Sequence, residues 1–272
     1  MSEGIPPAPY LPTARPDVVE STTLARAGWY SDGQHGGVVA ALIGREIERV
    51  PTLAPMEVAR LTVELFRVVR VVPLRLESRI VREGKKIQVV EVSVFDDEAE
   101  VARGVGLRLR TTEVQLPTTA RPQEPALVPP QEALAPDMRT FGIGAPGRVL
   151  FHRHAVEVRE LDPGFATIGP GGMWMRITRP LVAGEALSPL VRATIVGDFV
   201  NGLSRLDDSR RWSFMNADLS IHLQRHPEGE WIGVSAESRW EAVGRGVAAG
   251  VLHDIRGEFG RSTQSLFLEP TP

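Results

Sequence analysis

The sequence predicts an α+β chain built as two similar halves, each an antiparallel sheet wrapped around one central helix. Three observations predict it. Two segments are apolar on almost every face, each is followed by a series of strand-like runs, and a proline-rich stretch parts the two series near the middle. The halves repeat in the order of their elements, not in residue identity.

The first apolar segment lies in "SDGQHGGVVAALIGREIE", residues 31–48, where two glycines follow a histidine and the run Val38 to Ile47 comes next. A helix apolar on every face has to be enclosed. Behind it come "ARLTVELFRVVR" and "PLRLESRIVREGKKIQVVEVSVFDDEAEVARGVGLRLR", which read as strands with "FDDEAE" as their last hairpin turn.

Between Leu116 and Arg148 stand seven prolines, which forbid regular helix or central strand and mark an extended linker. The expected division is therefore residues 1–116, a linker over 117–148, and residues 149–272.

The second apolar segment is "SPLVRATIVGDFVNG", with Ser188 as N-cap and Pro189 at the first helical position. "LSIHLQ" alternates Leu219, Ile221 and Leu223 with Ser220, His222 and Gln224, a strand with one buried side. "HPEGE" reads as a turn, and "HDIRGEFG" is the last hairpin turn, matching "FDDEAE" in the first half. Each half is thus one helix followed by an antiparallel meander. One helix enclosed by one curved sheet is the hotdog arrangement, and two in one chain make a double hotdog. The alternative is a pair of unrelated α+β domains.

The 272 residues suffice for one large domain or two small ones with a real core. A net charge of −3 without a basic stretch weighs against nucleic acid. The absence of cysteine excludes disulfides, thiolate metal sites and cysteine nucleophiles, and fits a reducing cytoplasm. "MSEGIPPAPYLPTARPD" lacks the pattern of a signal peptide, and no apolar run is long enough to span a membrane. A cytoplasmic protein is expected, and the Ala, Gly, Val and Arg richness suggests a GC-rich bacterial source.

"QHGG", "DFVNG", "HLQRHPEGEW" and "GEFGRSTQSL", in this order and spacing, resemble the type II acyl-CoA thioesterase family of double-hotdog proteins, from about Trp29 to Leu268. The resemblance implies two hotdog units side by side, an acyl-CoA bound along their seam, and its hydrolysis to free acid and CoA. It implies an Asp, a Thr or Asn, and a Gln around the attacking water, matching Asp198, Asn216 and Gln264, with no cofactor. It also implies a dimer of double hotdogs.

The chemistry suits these residue types. Thiolate is a good leaving group, so the reaction needs a deprotonated water and a place for negative charge on the carbonyl oxygen. Desolvation in an apolar seam makes a carboxylate a better proton acceptor, and side-chain amides orient a water without changing charge. Backbone amides at a helix N-terminus are unpaired and partly positive. His35, Gly36 and Gly37 are therefore expected to present an oxyanion hole, a contribution of roughly 2.7–4 kcal/mol per donor. His35 itself reads as a base or as a loop holder.

Aligning the two helix starts puts Gly44 or a neighbour in the place of Asp198. A shift of two puts Glu46 there, a rival acid. Pro189 offers no amide hydrogen, so one working site and one vestigial pseudo-site are expected.

His152 and His154 have strand-like metal spacing but lack a third ligand nearby, so no metal is expected. Trp174 and Met175 read as strand core or as acyl-channel lining. "GRGVAAG" does not open a helix after a strand and is not a dinucleotide fingerprint. "RLDDSRRW" reads as a solvated loop. Two other functions stay open: an acyl-CoA hydratase or dehydratase, against which the lack of an Asp–His pair after one helix start weighs, and a non-catalytic acyl-chain or acyl-CoA binding protein.

Overall fold

A computed structural model describes residues 4–28, 30–117, 120, 127–135, 147–164, 167–207 and 211–270. Two short strands open the chain, β1 (Tyr10–Pro12) and β2 (Val18–Ser21). Helix α1 (Gly36–Arg49) follows, then β3 (Met56–Leu65), β4 (Leu74–Arg82), β5 (Ile87–Asp96) and β6 (Ala99–Arg110). The second half runs through a one-turn helix α2 (Phe151–His154), β7 (Val156–Glu160), β8 (Gly171–Ile177), helix α3 (Pro189–Gly197) and the one-turn helix α4 (Val200–Leu203). It ends in β9 (Trp212–Asn216), β10 (Asp218–Leu223), β11 (Trp231–Glu241), β12 (Arg245–Asp254) and β13 (Gly257–Pro270).

The strands form one continuous sheet in the order β1-β2-β4-β5-β6-β3-β10-β13-β12-β11-β8-β7, with β9 paired to β13 beside it. The two halves join where β3 meets β10, antiparallel, Leu61 opposite Ile221. This is the expected double hotdog of α+β class: the sheet curls around α1 in one half and α3 in the other. One expectation needs correction. Strands precede each helix, β1–β2 before α1 and β7–β8 before α3, so neither half is simply a helix followed by a meander.

Helix α1 buries Val38, Val39, Leu42, Ile43 and Ile47, each contributing about 1.5–3 kcal/mol of transfer free energy. It lies close on β6 because Gly104 and Gly106 have no side chain there. A Cβ on Gly104 would meet Ile43 Cγ2 at 2.5 Å, and one on Gly106 would meet Ile47 at 2.8 Å. The enclosure ends in the last turn, where Arg45, Glu46, Glu48 and Arg49 reach solvent to different degrees.

Helices α1 and α3 run antiparallel. Gly36 and Gly37 at the start of α1 touch Asp198 just past the end of α3, and Glu48 near the end of α1 accepts a 2.5 Å hydrogen bond from Ser188 at the start of α3. Ser188 caps α3 as expected, its Oγ accepting from the Val191 amide at 3.1 Å.

Parts of the predicted linker, 118–119, 121–126 and 136–146, lie outside the described residues. Residues 127–134 of it pack on the second half: the Trp174 indole donates to the Val128 carbonyl at 2.7 Å, Leu127 fills the space above Gly233, and Leu134 pairs with Glu160. Trp174 therefore lies buried under this strap, while Met173 and Met175 on the opposite face belong to the core. Of the predicted loop "RLDDSRRW", residues 208–210 lie outside the described residues. "GRGVAAG" lies in β12 except for its first residue, Gly244, in the turn before it.

Candidate active site

Where α1 begins and α3 ends, four polar groups meet on one carboxylate. Over "IVGDFVN" the helix tightens: α3 stops at Gly197, α4 starts at Val200, and between them the amides of Asp198, the C-cap, and Phe199 donate three residues back, to Ile195 and Val196. The Asp198 carboxylate projects onto the first turn of α1, where the amides are unpaired and the helix dipole favours negative charge. The Gly37 N–H donates to Asp198 Oδ2 at 2.5 Å, and His35 Nδ1 lies 3.1 Å from the same oxygen. Asn216, last residue of β9, donates to Oδ1 at 2.9 Å. Gln264 in β13 donates from Nε2 to the Asp198 carbonyl at 3.1 Å and to Oδ1 at 3.3 Å. A carboxylate has about four lone-pair positions, and here all four are taken.

The predicted residues thus come together, but two of them sit in other positions than expected. The amide of Gly37 faces the carboxylate, not a carbonyl oxygen. This is the reason for the glycine pair: a Cβ on Gly37 would meet Asp198 Cβ at 2.8 Å and the Ile195 carbonyl at 2.9 Å, and one on Gly36 would meet both Asp198 oxygens at 3.2 Å. The Gly36 amide is left, donating to no group among the described residues. Gln264 stands behind the carboxylate, 1 % exposed and away from the cavity, and its Oε1 accepts from the Asn201 amide at 3.2 Å.

In front of the carboxylate lies a cavity of about 350 Å³. His35, Gly36, Asp198 and Asn216 form its polar wall, and buried Val39, Val69 and Phe214 its apolar one. At the rim stand Tyr30, Arg67, Val68 and Phe267, and the Tyr30 hydroxyl reaches the Met215 sulfur at 2.7 Å. Walls and rim draw on both halves of the chain. Asn216 has its NH₂ on Asp198 and on the Asp218 carbonyl at 3.2 Å, so its Oδ1 remains as an acceptor at the cavity wall.

The His35 ring is held between Phe199, centroid to centroid 4.8 Å, and Phe151 at 5.7 Å. Its Nδ1 and Asp198 Oδ2 are too close for two facing lone pairs, so one of them carries a hydrogen. The Gly37 N–H points to both, 2.5 Å from Oδ2 and 3.2 Å from Nδ1, where the ring caps α1; the shorter bond assigns that N–H to the carboxylate, and the hydrogen between ring and carboxylate then sits on Nδ1. Gln34 of "QHGG" is fully engaged and structural: its Oε1 accepts from Tyr10 at 2.6 Å, and its Nε2 donates to Ser21 Oγ and the Arg70 carbonyl.

Glu46 is not opposite Asp198. It pairs with Arg45 and Arg49 on the outer side of α1. The carboxylate at the opposite end of the helix pair is Glu48, held by Ser188 as Asp198 is by His35. Burial pushes the Glu48 carboxyl above its ordinary range, against the smaller lowering by Ser188, His226 and Arg108. His152 and His154 lie on the turn of α2, not a strand, and His152 lines the cavity. Sequence reasoning missed Asn201, Phe199 and Phe151 as supports, and Tyr30 and Arg67 at the rim. Asn201 and Phe199 lie within the motif "DFVNG", which was the available signal.

Two family models match the chain, one for the N-terminal domain of acyl-CoA thioesterases over residues 25–109 and one for their C-terminal domain over 125–268. No curated protein sequence matches. Among solved structures, a candidate thioesterase II from Thermobifida fusca is 18 % identical with a TM-score of 0.74, covering 98 % of this chain and 100 % of its own. A hot dog protein of unknown function from Alicyclobacillus acidocaldarius is 17 % identical with a TM-score of 0.72, covering 94 % and 93 %. An acyl-CoA thioesterase II from Mycobacterium marinum is 15 % identical with a TM-score of 0.66, covering 96 % of each chain.

Proposed function

The chain belongs to the acyl-CoA thioesterase family, and from that membership we propose that it hydrolyses a fatty acyl-CoA to the free acid and CoA in the Asp198 cavity. The observation that carries this reading is the meeting of Asp198, Asn216, His35 and the start of α1, from opposite halves, at the wall of one cavity. The acyl chain lies against Val39, Val69 and Phe214. The thioester carbonyl oxygen takes the Gly36 N–H, a donor on a positive helix end whose hydrogen bond strengthens as the oxygen becomes an anion. Water activated through the Asp198 carboxylate and oriented by Asn216 Oδ1 attacks the carbonyl carbon, and the thiolate leaves.

The family reading also takes residues 1–116 and 149–272 as two units joined by 117–148, working as a dimer in the cytoplasm. Among the described residues no helix is long and apolar enough to cross a membrane.

A second reading is supported by one observation. His35 and Asp198 do converge at a helix start, although they are far apart in sequence. An imidazole–carboxylate pair beside a carbonyl-binding amide suits hydration of an enoyl-CoA. The deciding experiment follows thiol release from acyl-CoAs of several chain lengths and, in parallel, the loss of enoyl absorbance with crotonyl-CoA. Thiol release that disappears in Asp198→Asn with binding retained supports hydrolysis. Hydration without thiol release supports the second reading, and binding without either reaction defeats both in favour of a carrier.

A further inference from the structure

We infer that the atom which takes the proton from the attacking water is His35 Nε2, with Asp198 acting behind it as the group that orients the ring and balances its charge. This deepens the hydrolysis reading above and rests on it. The first ground is the saturation of the carboxylate. Gly37, His35, Asn216 and Gln264 fill its four acceptor positions, so a water has no lone pair on Asp198 to approach unless one of these bonds breaks. The second is the tautomer. With its hydrogen on Nδ1 toward Asp198, the neutral imidazole carries its basic lone pair on Nε2. That nitrogen is hydrogen-bonded to no described residue, and the ring lines the cavity. The third is rigidity: Phe199 and Phe151 grip the ring, and Phe199 directly follows Asp198 in the chain, so ring and carboxylate are positioned together. Base, orienting acid and helix-end amide then have the relation of a histidine held in one tautomer by a carboxylate.

The step balances as follows. Water gives a proton to Nε2 while its oxygen bonds to the carbonyl carbon, and the carbonyl π pair moves to the oxygen held by Gly36. The imidazolium formed is paired with Asp198. Collapse of the tetrahedral species reforms the carbonyl and breaks the C–S bond, and the CoA thiolate takes the proton back from Nε2. The products are the free acid and the CoA thiol.

Two measurements test this. In the unmodified protein labelled with ¹⁵N-histidine, the His35 resonance is expected to report the Nδ1–H tautomer. In His35→Asn the side-chain amide keeps a donor toward Asp198 but removes the base. Its kcat/KM is expected to fall about 10²–10⁴-fold, the acid limb of the pH profile to move, and KM to change little. Imidazole added to His35→Ala restores turnover. An Nε2–H tautomer, or loss of less than about tenfold in His35→Asn, overturns the inference and leaves Asp198 as the direct acceptor. Failure of the unmodified protein to release thiol from any acyl-CoA overturns the hydrolysis reading and this inference with it.

Discussion

Gly37 and Asp198 stand 161 positions apart in the sequence, yet the amide of one donates to the carboxylate of the other at 2.5 Å. This bond ties the start of one half's helix to the end of the other's. The contact leaves no room for a methyl group, because its nearest atoms would be the Asp198 Cβ and the Ile195 carbonyl. Gly37→Ala is therefore expected to force α1 and α3 apart. It should cost about 1–3 kcal/mol in denaturant unfolding and abolish thiol release. A variant of unchanged stability and activity would show that the two helix ends do not meet this closely.

Asn216 bridges Asp198 and the cavity. Asn216→Thr keeps one donor and one acceptor on a shorter side chain, whereas Asn216→Ala keeps neither. Steady-state kinetics should rank the threonine variant well above alanine, with alanine about 10²-fold below the unmodified protein in kcat. Equal activity of the two would remove Asn216 from the water's path.

Glu48 is held above its ordinary range by burial. The folded state therefore binds this proton more tightly than the unfolded chain. The associated stability is complete below the unfolded value, about pH 4.3, and is lost as pH rises through the folded one. Glu48→Gln keeps an acceptor for Ser188 without the charge. Its Tm should exceed that of the unmodified protein near about pH 7 and match it near about pH 4. The opposite ordering would place the Glu48 carboxylate in water.

Asp254 shows the reverse sign. Burial alone would raise it, but the Arg225 guanidinium and the amides of Glu228 and Arg256 outweigh that and hold it below the usual carboxylate range. Its stabilising contribution is present above the unfolded value and disappears as pH falls through the folded one. Asp254→Asn should thus destabilise at neutral pH. The loss is expected below the about 3–5 kcal/mol of a wholly buried pair, since the Arg225 side chain is 23 % exposed. It should also flatten the acid limb of the stability curve, as measured by urea unfolding over a pH series. An unchanged acid limb would remove Asp254 from the origin of that dependence.

The architecture was legible because it depends on local pattern. The apolar run Val38–Ile47, the alternation of Leu219, Ile221 and Leu223, and the Ser188–Pro189 cap each follow from side-chain period or backbone chemistry. The meeting of Asp198, Asn216 and Gln264 was reached through resemblance, since these residues share no local pattern. The partner of each helix end was not legible. Whether Glu46 or Glu48 faces α3 depends on how two helices slide past one another, and two positions of slip reverse the answer. Nor could a sequence show that Gly37 gives its amide to Asp198 while Gly36 keeps its own. The early strands escaped notice for a related reason: β1 has only three residues, and of its partners only β2 is near in sequence.

That first strand has a consequence for biosynthesis. Besides β2, Tyr10 pairs through both its backbone groups with Leu181 and Ala183, accepting from one amide and donating to one carbonyl. During translation these partners emerge about 170 positions after Tyr10, the span from Tyr10 to Leu181. One edge of β1 must therefore wait, with only β2 on its other side, until they arrive. An N-terminal fusion or early chaperone engagement would act on this interval, and the yield of native protein would depend on how the waiting end is shielded.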